Sequence, residues 1–164
     1  LAAHQEVQKL ALLFPPGKLT FEQVRESVFD VARFGVSDLG AILIAGDAQH
    51  LARVLDGLQG EGAAPPLVLW AITEEIRAVG KLLAGLAAGR PMQQAMRDAR
   101  IWGQARQSLM QRHIRHFTTQ QIEAALMHAA GIDRVIKGLA PGDVWDELLQ
   151  LGLRFAQAPR PAAA

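Results

Sequence analysis

The sequence contains no cysteine. That excludes disulfides and thiolate metal sites, and it fits a reducing compartment. No signal peptide stands at the start, and no apolar stretch reads as a membrane span. β-Branched residues are sparse, and no run alternates between apolar and polar, so nothing reads as sheet. There is no G-x-x-x-x-G-K-S/T phosphate loop. Lys81 does follow Gly80, but inside a helical pattern, where no exposed loop amides would cradle phosphate. A G-x-S-x-G nucleophile turn is also absent, and no internal repeat is found.

What is present is helical. Half of the 164 residues are hydrophobic, enough for a real core, and Ala, Leu, Gln and Arg abound. We expect an all-α helical bundle. Its organising stretch is Pro65 to Gly89, where Leu69, Ile72, Ile76, Val79, Leu83 and Leu86 form one apolar seam at alternating spacings of three and four. Pro66 suits a first turn, and Gly89 with Pro91 supplies the stop. The roughly 36 Å of helix implied at about 1.5 Å per residue serves as a spine for shorter helices or as a docking rail. Thr73, Glu74, Glu75, Arg77 and Lys81 are placed on its other faces.

Before the spine, Leu1–Leu13 and the stretch opened by Thr20 (Phe21, Val24, Val28) read as two short amphipathic helices. A hinge falls at Ala32–Val36. Ser37 is expected to cap a helix carrying Leu39, Ile42 and Leu43 that ends at Gly46. Asp47 caps the next, through Leu51, Val54, Leu55 and Leu58, and residues 60–64 form a flexible link. After the spine come a short helix (Pro91 to Arg100), a break at Ile101–Gly103, and a helix with Leu109, Met110, Ile114 and Phe117. A capping box at Thr118 and Gln121 then opens a long helix with Ile122, Leu126, Ala129, Ile132, Ile136 and Leu139. A turn at residues 140–143 leads to a last helix with Val144, Leu148, Leu151 and Phe155. The tail from Ala158 is rich in Pro and Ala and is expected to be disordered. The chain opens at Leu1 in mid-pattern and reads as part of something longer.

The formal net charge is only +1, but it is unevenly spread. Nine acids face three arginines between Thr20 and Glu75, whereas six arginines face Asp98 alone between Arg90 and His116. Such asymmetry steers partners. Equally, the arginines solvate helix faces and pair locally. His113 and His116 lie one turn apart without an evident third metal ligand. Glu74–Glu75 and Asp146–Glu147 point about 100° apart on their helices, so neither is a ready acid/base pair; both read as solvated surface. Trp70 and Trp145 read as core anchors. Trp102, flanked by Arg100 and Arg106, stands in the break and suits arginine stacking or an interface.

Taken in order, these segments resemble the C-terminal part of the delta-subunit family of the bacterial DNA polymerase III clamp loader. LAAHQEVQKLALLFPPGKLTFEQVRESV is similar to the closing helices of that family's AAA+ lid. ARFGVSDLGAILIAGDAQHLARVLDGLQGEGAAPPLVLWAITEEIRAV is similar to the start of its collar domain, with Phe34, Asp38, Leu39, Gly46, Asp47, Leu55, Gly62, Pro66 and Trp70 at the matching places. RIWGQARQ and IDRVIKGLAPGDVWDELLQLGLRF continue the match through Trp102, Arg106, Asp133, Lys137, Gly138, Trp145 and Leu148. The segment Arg90 to Arg100 departs most from the pattern.

The resemblance implies residues 1–33 as the remnant of a helical lid, 34–157 as a helical collar domain and 158–164 as a tail. It implies a non-catalytic module without cofactor, although the parent holoenzyme is a DNA-directed DNA polymerase. Expected partners are the motor subunits and delta prime through the collar, the sliding clamp through an N-terminal domain outside this chain, and DNA through the full assembly. The expected setting is the bacterial cytoplasm. Trp102, Arg100 and Arg106 are the candidate subunit interface. The competing expectation is a nucleic-acid-binding helical module using residues 90–116, with phosphate contacts that weaken steeply in salt; the scarcity of aromatics there and the acidic first half argue against it.

Overall fold

The computed structural model describes residues 17, 18, 20 and 35–156. The two N-terminal helices and the tail expected from sequence therefore lie outside the described residues. Within them the chain forms seven α-helices and no strand: α1 Leu39–Ala45, α2 Ala48–Gly60, α3 Pro65–Ala87, α4 Met92–Asp98, α5 Gln104–His113, α6 Thr119–Ile136 and α7 Val144–Ala156. Short 3-10 turns, Val36–Asp38 and Ile114–His116, precede α1 and follow α5.

Helix α3 is the spine. Its 23 residues span about 34 Å. Pro65 and Pro66 occupy its first two positions, where a missing N–H costs no helical bond. It packs most extensively on α6 and also meets α1, α4 and α7. The expected seam of Leu69, Ile72, Ile76 and Val79 is buried, but the buried surface is broader than one stripe. Val68, Ala78, Leu82 and Gly85 are buried as well, while Leu83 and Leu86 are only half-buried. Neighbours on several sides cover α3, so most of its seam serves as a spine for the shorter helices. Each fully buried leucine or isoleucine on it contributes about 1.5–3 kcal/mol of transfer free energy.

The short helices follow the same logic. In α1, Leu39, Ile42, Leu43 and Ile44 are all buried, as expected of a helix apolar on most sides. It ends at Gly46, whose left-handed backbone (φ 71°) lets its N–H reach the Ile42 and Leu43 carbonyls. Asp47 then caps α2 by accepting from the His50 N–H at 2.9 Å. The predicted face of α2, Leu51, Val54, Leu55 and Leu58, is buried against α7 and α1. The capping box at α6 forms in full: Thr118 Oγ1 accepts from Gln121 N–H at 3.3 Å, and Gln121 Oε1 accepts from Thr118 N–H at 2.9 Å.

Several local expectations are overturned. Ser37 does not cap α1. It sits inside the 3-10 turn, and the residue before α1 is Asp38, already helical and without a side-chain cap bond. Residues 60–64 are not a loose link: Glu61, Gly62 and Ala63 donate to Gly57, Gln59 and Leu58, closing the α2 end. Leu139 lies beyond the end of α6 and is 67% exposed, because α6 stops at Ile136 and Gly138 takes a left-handed turn (φ 70°). Trp70 is not a core residue but is 54% exposed. Glu75, read as solvated surface, is buried; Thr73 beside the seam is buried as well, its hydroxyl satisfied by the Leu69 carbonyl.

Candidate functional site

Two exposed tryptophans mark the surface regions to weigh, and the chemistry beneath Trp102 is the more elaborate. Helix α5 is polar and buries only Met110, so apolar contact alone anchors it weakly. Its polar side chains make up the difference. Arg106 extends Nη2 to Glu75 Oε2 at 2.8 Å, linking α5 to the spine. Glu75 is 8% exposed, and a carboxylate this buried persists as a charge only with a partner. Its other oxygen, Oε1, is buried and has no hydrogen-bond partner among the described residues. On the far side stands Gly40 of α1: a Cβ there would lie 2.7 Å from Glu75 Oε2. The carboxylate thus fills the space that glycine leaves.

The same arginine reaches toward the α4–α5 connection, with Nη1 3.4 Å from the Arg100 carbonyl. Helix α4 ends in a Schellman turn. Ile101 N–H donates to Met96 O at 2.9 Å and Arg100 N–H to Arg97 O at 3.0 Å. The left-handed position of that motif, normally glycine, is Arg100 (φ 57°), the one non-glycine residue with positive φ among the described residues. Ile101 is fully buried, and Gln107 Nε2 donates to its carbonyl at 3.0 Å. Gly103 (φ 83°) then turns the chain into α5. With Ile101 plugged inward and both carbonyls held from α5, Trp102 is displayed outward, 59% exposed. The Arg106 guanidinium is directed at Glu75 and at the Arg100 carbonyl.

A second surface runs along α3 and α6. Two hollows of about 440 and 340 Å³ lie between these helices and share Arg77 and Leu126. Trp70, Leu69 and Ala129 line the first, Leu83 and Ile122 the second. Leu67 and Met127 of the same two helices are also exposed.

The arginine-rich segment is partly committed to the fold. Arg90 pairs with Asp98 at 2.6 Å, Arg106 with Glu75, and Arg112 Nε donates to Ser108 O at 3.3 Å. Arg97, Arg100 and Arg115 are exposed and have no ion-pair partner among the described residues. The carboxylates adjacent in sequence diverge. Glu74 pairs with Arg77 at 3.0 Å while Glu75 turns inward. Asp146 accepts from Gln150 at 2.8 Å, while Glu147 meets His128 at 2.6 Å. The His113 and His116 rings are 6.1 Å apart between centroids. Among the described residues no group of three His, Asp or Glu side chains is placed to hold a metal ion.

Sequence reasoning singled out Trp102, Arg100 and Arg106 but missed Glu75, Gly40 and Gln107. The signal for Glu75 was present: Val68, Ile72, Glu75, Val79 and Leu82 are spaced four, three, four and three, so a carboxylate stands in a buried row.

No protein-family model matches the chain. It is similar to DNA polymerase III subunit delta of Escherichia coli (strain K12), 27% identical over 159 residues, covering 97% of this chain and 46% of that protein. It is likewise similar to DNA polymerase III subunit delta of Haemophilus influenzae, 28% identical over 163 residues, covering 94% of this chain and 47% of that protein. The chain thus spans about half the length of the curated relatives it matches. The resemblance read from the sequence segments is to this same subunit.

Proposed function

We propose that this chain is a non-catalytic assembly module of a bacterial clamp loader. In this reading, residues 34–157 are the collar domain of a delta subunit, docking against motor subunits and delta prime during sliding-clamp loading for DNA replication. Residues 1–33 close its AAA+ lid. The clamp and the primed DNA are met by parts of the assembly outside this chain, in the cytoplasm. The similarity to subunit delta over nearly the whole chain supports the loader role.

The structural observation that carries the docking role is Trp102, exposed on a turn braced from below by the partly buried Arg106–Glu75 ion pair. A large aromatic displayed from a hydrogen-bonded turn suits an interface hot spot: it offers area to bury, and the backbone that carries it is already ordered. The exposed Trp70 beside the α3–α6 hollows offers a second apolar face of the same kind.

Co-sedimentation of the full chain with purified motor subunits at micromolar concentration tests the reading. Association is expected, with no ATPase activity from the chain alone, and Trp102→Ala is expected to weaken it more than about tenfold. Absence of association removes the docking role.

A second reading rests on the exposed Arg97, Arg100 and Arg115: a nucleic-acid-binding surface over residues 90–116. Filter binding to primer-template DNA at low and high salt separates the two. Tight binding by the chain alone that falls steeply with salt favours the nucleic-acid reading.

A further inference from the structure

We propose that Glu75 is the positioning residue of the Trp102 surface, and that Gly40 makes the turn leading into α1 part of the same mechanical relay. The inference rests on Trp102 being the docking anchor proposed above and adds how that anchor is set.

The relay is continuous in space though spread over the sequence. Gly40 of α1 abuts Glu75 Oε2 of α3. That oxygen holds Arg106 Nη2 of α5 at 2.8 Å. The other nitrogen of the same guanidinium points at the Arg100 carbonyl, one peptide from buried Ile101 and two residues from Trp102. The flat, forked guanidinium suits this bridging role, because its donors leave it in fixed coplanar directions, whereas the three donors of an ammonium sit on one freely rotating nitrogen and fix no such geometry. Among the described residues Glu75 has no other ion-pair partner, and Arg100 sits in a strained left-handed conformation that neighbours must hold. The 3-10 turn Val36–Asp38 contacts α3 as well as α1, so displacement of the chain before α1 is transmitted to the carboxylate through Gly40.

The test reads Trp102 alone. In a Trp70→Phe, Trp145→Phe background, time-resolved fluorescence anisotropy reports the local motion of Trp102. A sister background keeping only Trp145 reports global loosening. Glu75→Gln is expected to lower the residual anisotropy of Trp102 and leave that of Trp145 unchanged. Arg106→Lys keeps a cation near Glu75 but loses the fork, and it is expected to free Trp102 similarly; it stands in for Glu75→Gln should that variant not fold. Gly40→Ala drives a methyl into the carboxylate and is expected to loosen Trp102 without touching its turn. Unchanged Trp102 anisotropy in folded Glu75→Gln or Arg106→Lys overturns the positioning role, and equal loosening of Trp102 and Trp145 overturns it too. Unchanged anisotropy in Gly40→Ala overturns the link to α1. The subunit-binding assay separates the two layers: loosened Trp102 with unaltered binding sinks the docking role of Trp102 and leaves the relay standing.

Discussion

Gly152 of α7 lies so close to Leu51 of α2 that a Cβ on the glycine would stand 2.6 Å from Leu51 Cδ2 and 3.4 Å from Leu43 Cδ2. Both leucines are completely buried, so neither has open space to swing into. Gly152→Ala should therefore destabilise the bundle. Overpacking costs about 1–3 kcal/mol, while replacing a mid-helix glycine by alanine returns about 1 kcal/mol. Gly131 of α6 provides the contrast: it is helical, exposed, and nothing lies within 4 Å of a Cβ there. Gly131→Ala should stabilise by about 0.5–1 kcal/mol. Urea unfolding midpoints of opposite shift check the pair.

Leu82 and Leu139 test where the core ends. Leu82 is fully buried on α3, whereas Leu139 is exposed past the α6 terminus. Leu82→Ala should cost about 2–5 kcal/mol through lost burial and a residual cavity. Leu139→Ala should stay within about 0.5 kcal/mol of wild type. Equal losses would mean that Leu139 packs as its helical spacing suggested.

That contrast shows how the sequence was legible and where it stopped being so. Periodicity located α2, α3, α6 and α7 because each presents a repeated apolar face. Caps at Asp47 and Thr118 were readable because they depend on neighbours three residues away. A spacing argument, however, runs on past a helix end. It placed Leu139 in the core because the apolar spacing was followed past Gly138, although a glycine at that place is the local sign of a left-handed helix stop. It also treated polar residues as solvated. Glu75 is buried because Arg106, 31 residues later, meets it, and that pairing belongs to tertiary structure. The end of α4 was legible to within two residues, since the break was placed at Ile101–Gly103, but the left-handed turn at Arg100 was not: the position wanted glycine, and the chain supplies a residue that no turn rule flags.

Arg100 therefore yields a prediction of its own. For an L residue other than glycine the left-handed conformation costs about 1–2 kcal/mol, and glycine is the usual occupant of this Schellman position. Arg100→Gly should relieve most of that cost, offset in part by the greater freedom of glycine in the unfolded chain. A net stabilisation of about 0.5–1 kcal/mol is expected, read as a raised thermal midpoint. A fall would show that the arginine side chain contributes more to the turn than its backbone strain removes.

Removing Arg106 should be costlier than removing Arg90, although both are ion-paired arginines of the same segment. Arg90 and Asp98 are each about half exposed, and such pairs contribute about 0–1 kcal/mol. Arg106 neutralises a carboxylate that has one oxygen already unsatisfied. Stranding a fully buried charge costs about 3–5 kcal/mol, but the Arg106 side chain is 39% exposed, so water reaches part of the site. Arg106→Ala should accordingly lose about 1–3 kcal/mol, and Arg90→Ala less than about 1 kcal/mol. The double variant Glu75→Leu with Arg106→Ala removes both charges and should recover part of the loss, because the unpaired carboxylate, rather than the missing contact, is the larger penalty. Chemical denaturation of the three variants decides this: a double variant less stable than Arg106→Ala would show that the pair contributes a net attraction beyond satisfying Glu75.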